Sequence, residues 1–299
     1  MQLAAYRSAD LYRVQERLLL LPVWHGLEQN PAQNKIRDIA ETQNEAALYS
    51  LQLDFRADFL ADLSWQKYLR SICWPHAVDF FCVERSMWQQ KKGLAVFDMD
   101  ATLIRNEVID ELAAEHQVGH QVAEITERAM RGDMDFNASI RARVALLKGL
   151  SVQSFSAVRK RLVEQDGLRP LFRRLQRTSI KTAIVSGGFA PFAQPLAEGL
   201  AMDHVYSNHL ETDAAGYLTG NLTGNMINAA SKADLLLQLA QHYELSLRGT
   251  IAVGDGANDI PMLQNAGTGV AYYAKPKVNE QIAHAICHTD LRCIGLLVA

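Results

Sequence analysis

Apolar and polar positions follow two different grammars along this chain. From Gly93 onward, short apolar runs stop abruptly at Asp, Ser or Gly. Leu94-Ala95-Val96-Phe97 ends at Asp98, Ala183-Ile184-Val185 at Ser186, and Ile251-Ala252-Val253 at Gly254-Asp255. Runs of this length bounded by turn residues read as buried parallel strands. Helical spacing separates them, as in Leu168 to Arg177 and Ala233 to Tyr243. Alternating strand and helix predicts an α/β fold, a doubly wound parallel sheet with helices on both faces. In such sheets ligands bind beyond the carboxyl ends of the strands, where the polar residues of this chain fall.

Between about 106 and 167 the alternation stops. Four helices are expected there, at Val108 to Ala114, Val122 to Met130, Ile140 to Leu147 and Phe155 to Val163. A helical insert directly after the first core strand predicts a cap over the strand ends. Ser207 to Gly224, rich in Gly, Thr and Asn around Tyr217-Leu218, predicts a hairpin.

Residues 1 to 90 read differently. Ile36, Ile39, Leu48, Leu51, Phe55, Phe59 and Leu63 recur at helical steps, and Ala77 to Val83 is the one strand candidate. A mainly helical extension is expected. All four tryptophans precede residue 90, whereas only Gly26 of 18 glycines precedes Gly93. Gln89 to Gly93 therefore divides an extension of unassigned role, 1–90, from a second domain, 91–299.

Composition narrows the function classes. With 30 Lys and Arg against 33 Asp and Glu, the net charge of −3 offers no general field for nucleic acid or an acidic membrane surface. A small-molecule substrate remains, since a small anion needs only local cations. Cys73, Cys82, Cys287 and Cys293 show no CxxC spacing, so reduced thiols are expected rather than a disulfide framework or zinc site. The run Leu18 to Leu21 is far short of the ~20 residues of a membrane helix, and Asp10 and Glu16 precede it. A cytosolic protein is expected, and the Trp-rich first part leaves a homodimer open.

The chemistry-bearing residues sit at the strand ends. Asp98 and Asp100 are two apart on an extended chain, so both carboxylates face one side. Two adjacent carboxylates repel unless a cation lies between them or one holds a proton. Gly254-Asp255-Gly256-Ala257-Asn258-Asp259 adds two more at the end of another strand. Such oxygen donors suit Mg²⁺ with a substrate phosphate. Either loop alone is equally served by turn and cap chemistry; both together point to a site. Ser186-Gly187-Gly188 offers a hydroxyl and free N–H groups to a phosphate. Lys232, taken alone, is an ordinary surface lysine.

The order Asp-x-Asp-x-Thr (Asp98 to Thr102), Ser-Gly-Gly, Lys232 and Gly-Asp-Gly-x-Asn-Asp resembles the haloacid dehalogenase-like (HAD) hydrolases. Residues 94 to 292 further resemble the phosphoserine phosphatase family, through Glu107-Val108-Ile109-Asp110-Glu111, Glu127 to Gly132, Asp135-Phe136, Arg141 to Val144 and Ala271 to Lys277. The resemblance implies Asp98 as nucleophile, Asp100 as general acid and base, and Mg²⁺ held by Asp98, the Asp100 carbonyl and Asp255, with Asp259 nearby. It also implies phosphate held by Ser186, Gly187 and Lys232, aided by Asn258. In the cap, Glu107 would meet an ammonium and Arg143 a carboxylate, with Met130 and Phe136 closing over the substrate. Ala101 departs from the family where many relatives have Ser. Residues 1–90, with at most one clear strand, depart from the ACT-like regulatory modules of some relatives. A phosphatase for another small phosphomonoester, such as histidinol phosphate or phosphothreonine, uses the same loops. A non-catalytic phosphate sensor does not need Asp98.

Overall fold

In a computed structural model, residues 2–5, 7, 9–11, 13–14, 37–38, 49–52, 63–83 and 85–298 are described. Among the described residues, eleven strands form one sheet in the order β2-β3-β1-β4-β11-β10-β9-β5-β6-β7-β8. They are β1 Gln2–Ala5, β2 Arg37–Asp38, β3 Tyr49–Gln52, β4 Asp79–Phe81, β5 Leu94–Phe97, β6 Lys181–Phe189, β7 His204–Thr212, β8 Leu218–Thr223, β9 Thr250–Gly254, β10 Thr268–Tyr272 and β11 His284–Ile286.

The core pairs β11-β10-β9-β5-β6-β7 are all parallel, and β8 closes the edge antiparallel to β7, as the predicted hairpin. On β5, Ala95 and Phe97 face one apolar layer with Phe172 and Leu175. Leu94 and Val96 face the other, with Leu236 and Leu239. Strands buried on both faces read as unbroken apolar runs, which is why this sheet was legible.

Helix Leu168–Arg177 matches its expected bounds. The helix expected from Ala233 begins earlier, at Ala229. Asn228 accepts from the Ser231 N–H at 3.1 Å while the Ser231 hydroxyl accepts from the Asn228 N–H at 2.7 Å. This reciprocal cap satisfies two otherwise orphaned donors and brings the helix start forward. The cap is helical as expected, with helices Val108–Glu115, Gly119–Met130, Phe136–Ala145 and Phe155–Arg161. Its entry and exit strands are clamped together: Arg105 N–H donates to Val163 O at 2.8 Å and Gln165 N–H to Leu103 O at 2.9 Å.

The expectation of at most one strand before residue 90 is corrected. β1 pairs antiparallel with both β3 and β4, and β3 with β2, in the strand order of a split βαβ module. Leu51, assigned to a helical stripe, lies in β3, and helix Leu63–Cys73 connects β3 to β4. Helical spacing within a short apolar run does not separate helix from strand. Ile36, Ile39, Leu48, Phe55, Phe59 and Trp24 lie outside the described residues. All four cysteines are free. Among the described residues no helix is long and apolar enough to cross a membrane.

β4 joins this module to the core by pairing with β11. The Asp79 carboxylate accepts from the N–H groups of Cys287, His288 and Thr289 at 2.8–3.0 Å and from the Thr289 hydroxyl at 2.7 Å. Arg70 donates to the carbonyls of Ile282 and Ala283 at 2.6 and 3.0 Å. Beside this junction, burial and then the charges of Arg70 and Lys92 push the His284 imidazole down to about 4. His284 is therefore neutral in the fold near pH 6, where an unfolded histidine takes up a proton. Its contribution is complete above pH ~6.5 and is lost as pH falls toward ~4. Urea unfolding across that window should show the chain losing roughly 3 kcal/mol more than His284→Leu does. Parallel curves for the two proteins would reject this assignment.

Candidate active site

Strand register assembles the site. Phe97 is level with Val253 on one side and Ile184 on the other, so the residues that follow these three gather at one rim. Asp98 stands one residue beyond Phe97, and Asp255 and Ser186 two beyond their partners. After Asp98 the chain coils tightly, with the N–H groups of Thr102, Leu103 and Ile104 all pointing at the Met99 carbonyl at 2.8–3.2 Å. Ala101 adopts φ 53° in this coil, a left-handed conformation that costs an alanine more than a glycine. Gln165 holds its carbonyl at 3.1 Å. The coil leaves Asp100 Oδ1 3.4 Å from the Val108 N–H at the start of the cap.

β6 runs on through Ser186-Gly187-Gly188 to Phe189 rather than stopping at Ser186, with its register shifting after Val185. The glycines permit this. A Cβ at Gly188 would lie 2.7 Å from Asp100 Oδ2, and one at Gly187 3.0 Å from the Phe136 ring. The Ser186 hydroxyl accepts from the Gly188 N–H at 3.0 Å. Asn208 orients the loop by donating to the Gly187 carbonyl and accepting from Ile227 N–H, both at 2.8 Å. The sequence pattern gave Asn208 no distinguishing signal.

Lys232 is no surface lysine: it is fully buried. Its ammonium lies 2.7 Å from Asp98 Oδ2 and 2.6 Å from Asp259 Oδ1. Burial opposes its charge, but Asp259 and Asp98 outweigh burial and hold it protonated. Asp259 is occupied on both oxygens, since Oδ2 accepts from Gly256 N–H at 2.9 Å. Among the described residues, Asp98 Oδ1 accepts only from Met99 N–H, at 2.7 Å.

Ligand oxygens of Asp98, Asp255 and Asp259 all lie within 4.8 Å of one another. Burial first, then the charges of Asp259 and Asp98, push Asp255 up to about 8. Burial and Asp98, against Lys232, push Asp259 to about 6. Such a cluster of hard oxygen donors fits a divalent cation, which would relieve the repulsion that raises them. Asp100 is raised well above the carboxylate range by burial, then by Glu107 and Asp98.

From the cap, Glu107 is raised by burial, with Lys275 and Arg143 opposing. Arg143, on Phe136–Ala145, is lowered by burial, with Glu107, Asp110 and Asp100 opposing. These cap charges thus share one electrostatic environment with the core carboxylates. Phe136 covers Gly187, and Asn228 Nδ2 meets Asn137 Oδ1 at 3.3 Å. Met130 is not gathered in: it ends its helix 72% exposed. Asn258 lies beside Gly256, in the loop between Asp255 and Asp259. Asp110 and Lys275, given no role from sequence, are both charged neighbours of the site.

Comparison with known proteins fits this geometry. The haloacid dehalogenase-like hydrolase family matches residues 95–264, more than half of the chain. A phosphoserine phosphatase of Vibrio cholerae is 48% identical over 196 residues, 66% of this chain and 60% of that protein's length. One from Streptococcus thermophilus is 44% identical over 200 residues, 67% of this chain and 93% of its own length. A crystal structure of a HAD family hydrolase from Salmonella enterica serovar Typhi superposes with a TM-score of 0.83 at 32% identity, covering 99% of this chain and 98% of that one. Its likeness includes the N-terminal module as well as the core. The chain belongs to the haloacid dehalogenase-like hydrolases and, within them, to the phosphoserine phosphatase family.

Proposed function

We propose that this chain is a cytoplasmic, Mg²⁺-dependent phosphatase that hydrolyses O-phospho-L-serine to L-serine and phosphate through an aspartyl-phosphate. The observation that carries the proposal is the Asp98 carboxylate at the rim. One of its oxygens is held by Lys232, the other keeps a lone pair beyond its backbone hydrogen bond, and Asp100, which burial pushes toward its protonated form, stands two residues on.

Asp98 Oδ1 attacks phosphorus as the bond from phosphorus to the serine oxygen breaks. Asp100 delivers its proton to that oxygen, so serine leaves neutral at the hydroxyl. Asp100, now a carboxylate, takes a proton from the water that attacks the aspartyl-phosphate, which frees Asp98 and inorganic phosphate. Ser186, the Gly187 N–H and Lys232 hold the phosphoryl oxygens as their charge redistributes. Asp98 and Asp255, with the Asp100 carbonyl, would hold the Mg²⁺, and Asp259 orients Lys232 beside it. When bound, the cation offsets repulsion between the nucleophile and the phosphate dianion.

The cap supplies selectivity. Glu107 meets the substrate ammonium, and the planar Arg143 guanidinium the carboxylate. Phe136 closes the phosphate loop against water.

The test is phosphate release from L-phosphoserine with Mg²⁺ or EDTA, for wild type, Glu107→Gln and Arg143→Ala. Metal-dependent release is expected. Each cap substitution should cost about 10²-fold in kcat/KM for phosphoserine, with little change for p-nitrophenyl phosphate, because an unpaired polar group of the ligand is then left in the site. Wild-type turnover of histidinol phosphate or phosphothreonine in preference to phosphoserine would move the reading to those substrates.

A further inference from the structure

The lip of the site carries a cation that the chemistry above leaves unused. Lys275 follows β10, on the segment Ala271 to Lys277. Its backbone is fixed on three sides. Tyr273 turns the chain at φ 44°. Asn279 Nδ2 donates to the Ala274 carbonyl at 2.9 Å, and the Lys275 N–H donates to the Asp255 carbonyl at 3.1 Å. Pro276 then starts the short helix Pro276–Asn279. The side chain is nonetheless 53% exposed, and its ammonium lies 4.0 Å from Asp255 Oδ2, beyond hydrogen-bonding distance. The backbone thus holds Lys275 at the metal-site loop, with its ammonium facing Asp255 but making no direct hydrogen bond to it.

That charge matters because the site is crowded with acids. Asp98 acts on Asp100, Glu107, Asp255 and Asp259, Glu107 acts on Asp100 and Asp255, Asp110 acts on Glu107, and Lys232 is consumed by Asp98 and Asp259. Lys275 is the opposing charge that acts most strongly on Glu107, ahead of Arg143, and it acts on Asp110 and Asp255 as well. Lys275 is half exposed to solvent, whereas Lys232 is fully buried behind Asp98 and Asp259.

We propose that Lys275 is a substrate-capture residue, whose half-exposed ammonium draws the phosphate dianion past the rim carboxylates toward Ser186 and Lys232. It is a positioning residue, and it takes no part in bond making or breaking. The inference rests on the phosphomonoesterase reading above, but not on phosphoserine being the substrate. Removing the charge should therefore weaken capture and leave the chemical step alone.

The experiment compares wild type, Lys275→Met, Lys275→Arg and Lys277→Met at saturating Mg²⁺, with L-phosphoserine and with p-nitrophenyl phosphate. Lys277 is exposed on the same short helix, so its replacement makes the same change in net charge away from the carboxylates. Lys275→Met should raise KM about tenfold for both substrates with kcat within about twofold, given a unit charge acting over a few ångströms at the surface. Its KM should also depend less steeply on NaCl than that of wild type, which a merely structural role would not change. Lys275→Arg should stay near wild type, and Lys277→Met should not differ from it. An unchanged KM and salt dependence in Lys275→Met would overturn the proposal, as would equal losses in Lys275→Arg and Lys275→Met. Wild-type turnover of p-nitrophenyl phosphate without phosphoserine would reject the substrate reading, while the Lys275 comparison would still run on the aryl ester.

Discussion

Asp98→Asn should abolish turnover, lowering kcat/KM by at least about 10⁴-fold, as removal of an attacking group does when the remaining site is intact. The substitution is nearly isosteric and changes one atom of the carboxylate. An amide oxygen is a poor nucleophile toward phosphorus, and no aspartyl-phosphate can form. The fold should not suffer. Asp98 is one of three buried carboxylates within ligand distance of one another, and its charge helps to raise both Asp255 and Asp259. Neutralising it relieves that repulsion, while Lys232 loses its ion pair with Asp98 and keeps the one with Asp259, so in EDTA the variant should unfold close to the wild-type temperature. Single-turnover phosphate release and a melting curve check both halves. Activity within tenfold of wild type would mean that Asp98 is not the nucleophile. A large drop in melting temperature would mean that the lost activity reports unfolding.

The parts of the structure that were legible in the sequence share one physical cause. β5, β6 and β9 are buried on both faces, so their apolar runs are unbroken and the first polar residue marks the strand end. Function begins where those runs stop, and Asp98, Ser186 and Asp255 could be placed on one rim before any register was known. Lys232 was recognisable only through its motif order, because a lysine near a helix start carries no local signal of burial. Its depth follows from tertiary packing against Asp98 and Asp259.

The first 90 residues were less legible for the opposite reason. Their strands are short and belong to an antiparallel module, and the two-residue β2 leaves no period to count. The run containing Leu51 fits helix and strand spacing alike. The apolar run of β6 stops at Ser186, which marks a strand end in the sequence pattern. Gly187 and Gly188 let the strand continue between Asp100 and the Phe136 ring, where an added Cβ would crowd Asp100 Oδ2, Met99 and the ring. Asn208 and Lys275 escaped for a further reason. Each acts through a neighbour, Asn208 by orienting the Gly187 peptide and Lys275 by its place beside Asp255, and neither relation is local in sequence.

Lys232→Met carries the second large effect, and it reaches stability as well as rate. Met is close in length and can fill the buried channel, but it leaves Asp98 and Asp259 facing each other without the ammonium. Removing one partner of a buried pair costs about 3–5 kcal/mol. The loss should depend on pH in a defined sense. Asp259 is already raised to about 6 with Lys232 holding it down, so it rises further in the variant. A carboxyl whose folded value lies above its unfolded value weakens the fold as pH rises through the folded value, and the penalty fades as pH falls and the proton returns. In EDTA, urea unfolding should therefore show Lys232→Met far less stable than wild type at pH 8, with the gap narrowing toward pH 5. Activity should fall about 10²–10³-fold, the scale for losing one group that stabilises developing charge. A gap independent of pH would place the instability in packing rather than in the unpaired carboxylates. Stability equal to wild type at pH 8 would show that Asp98 and Asp259 do not need this ammonium. In that case the triad at the strand ends would owe its geometry to the backbone contacts of Met99 and Gly256 alone.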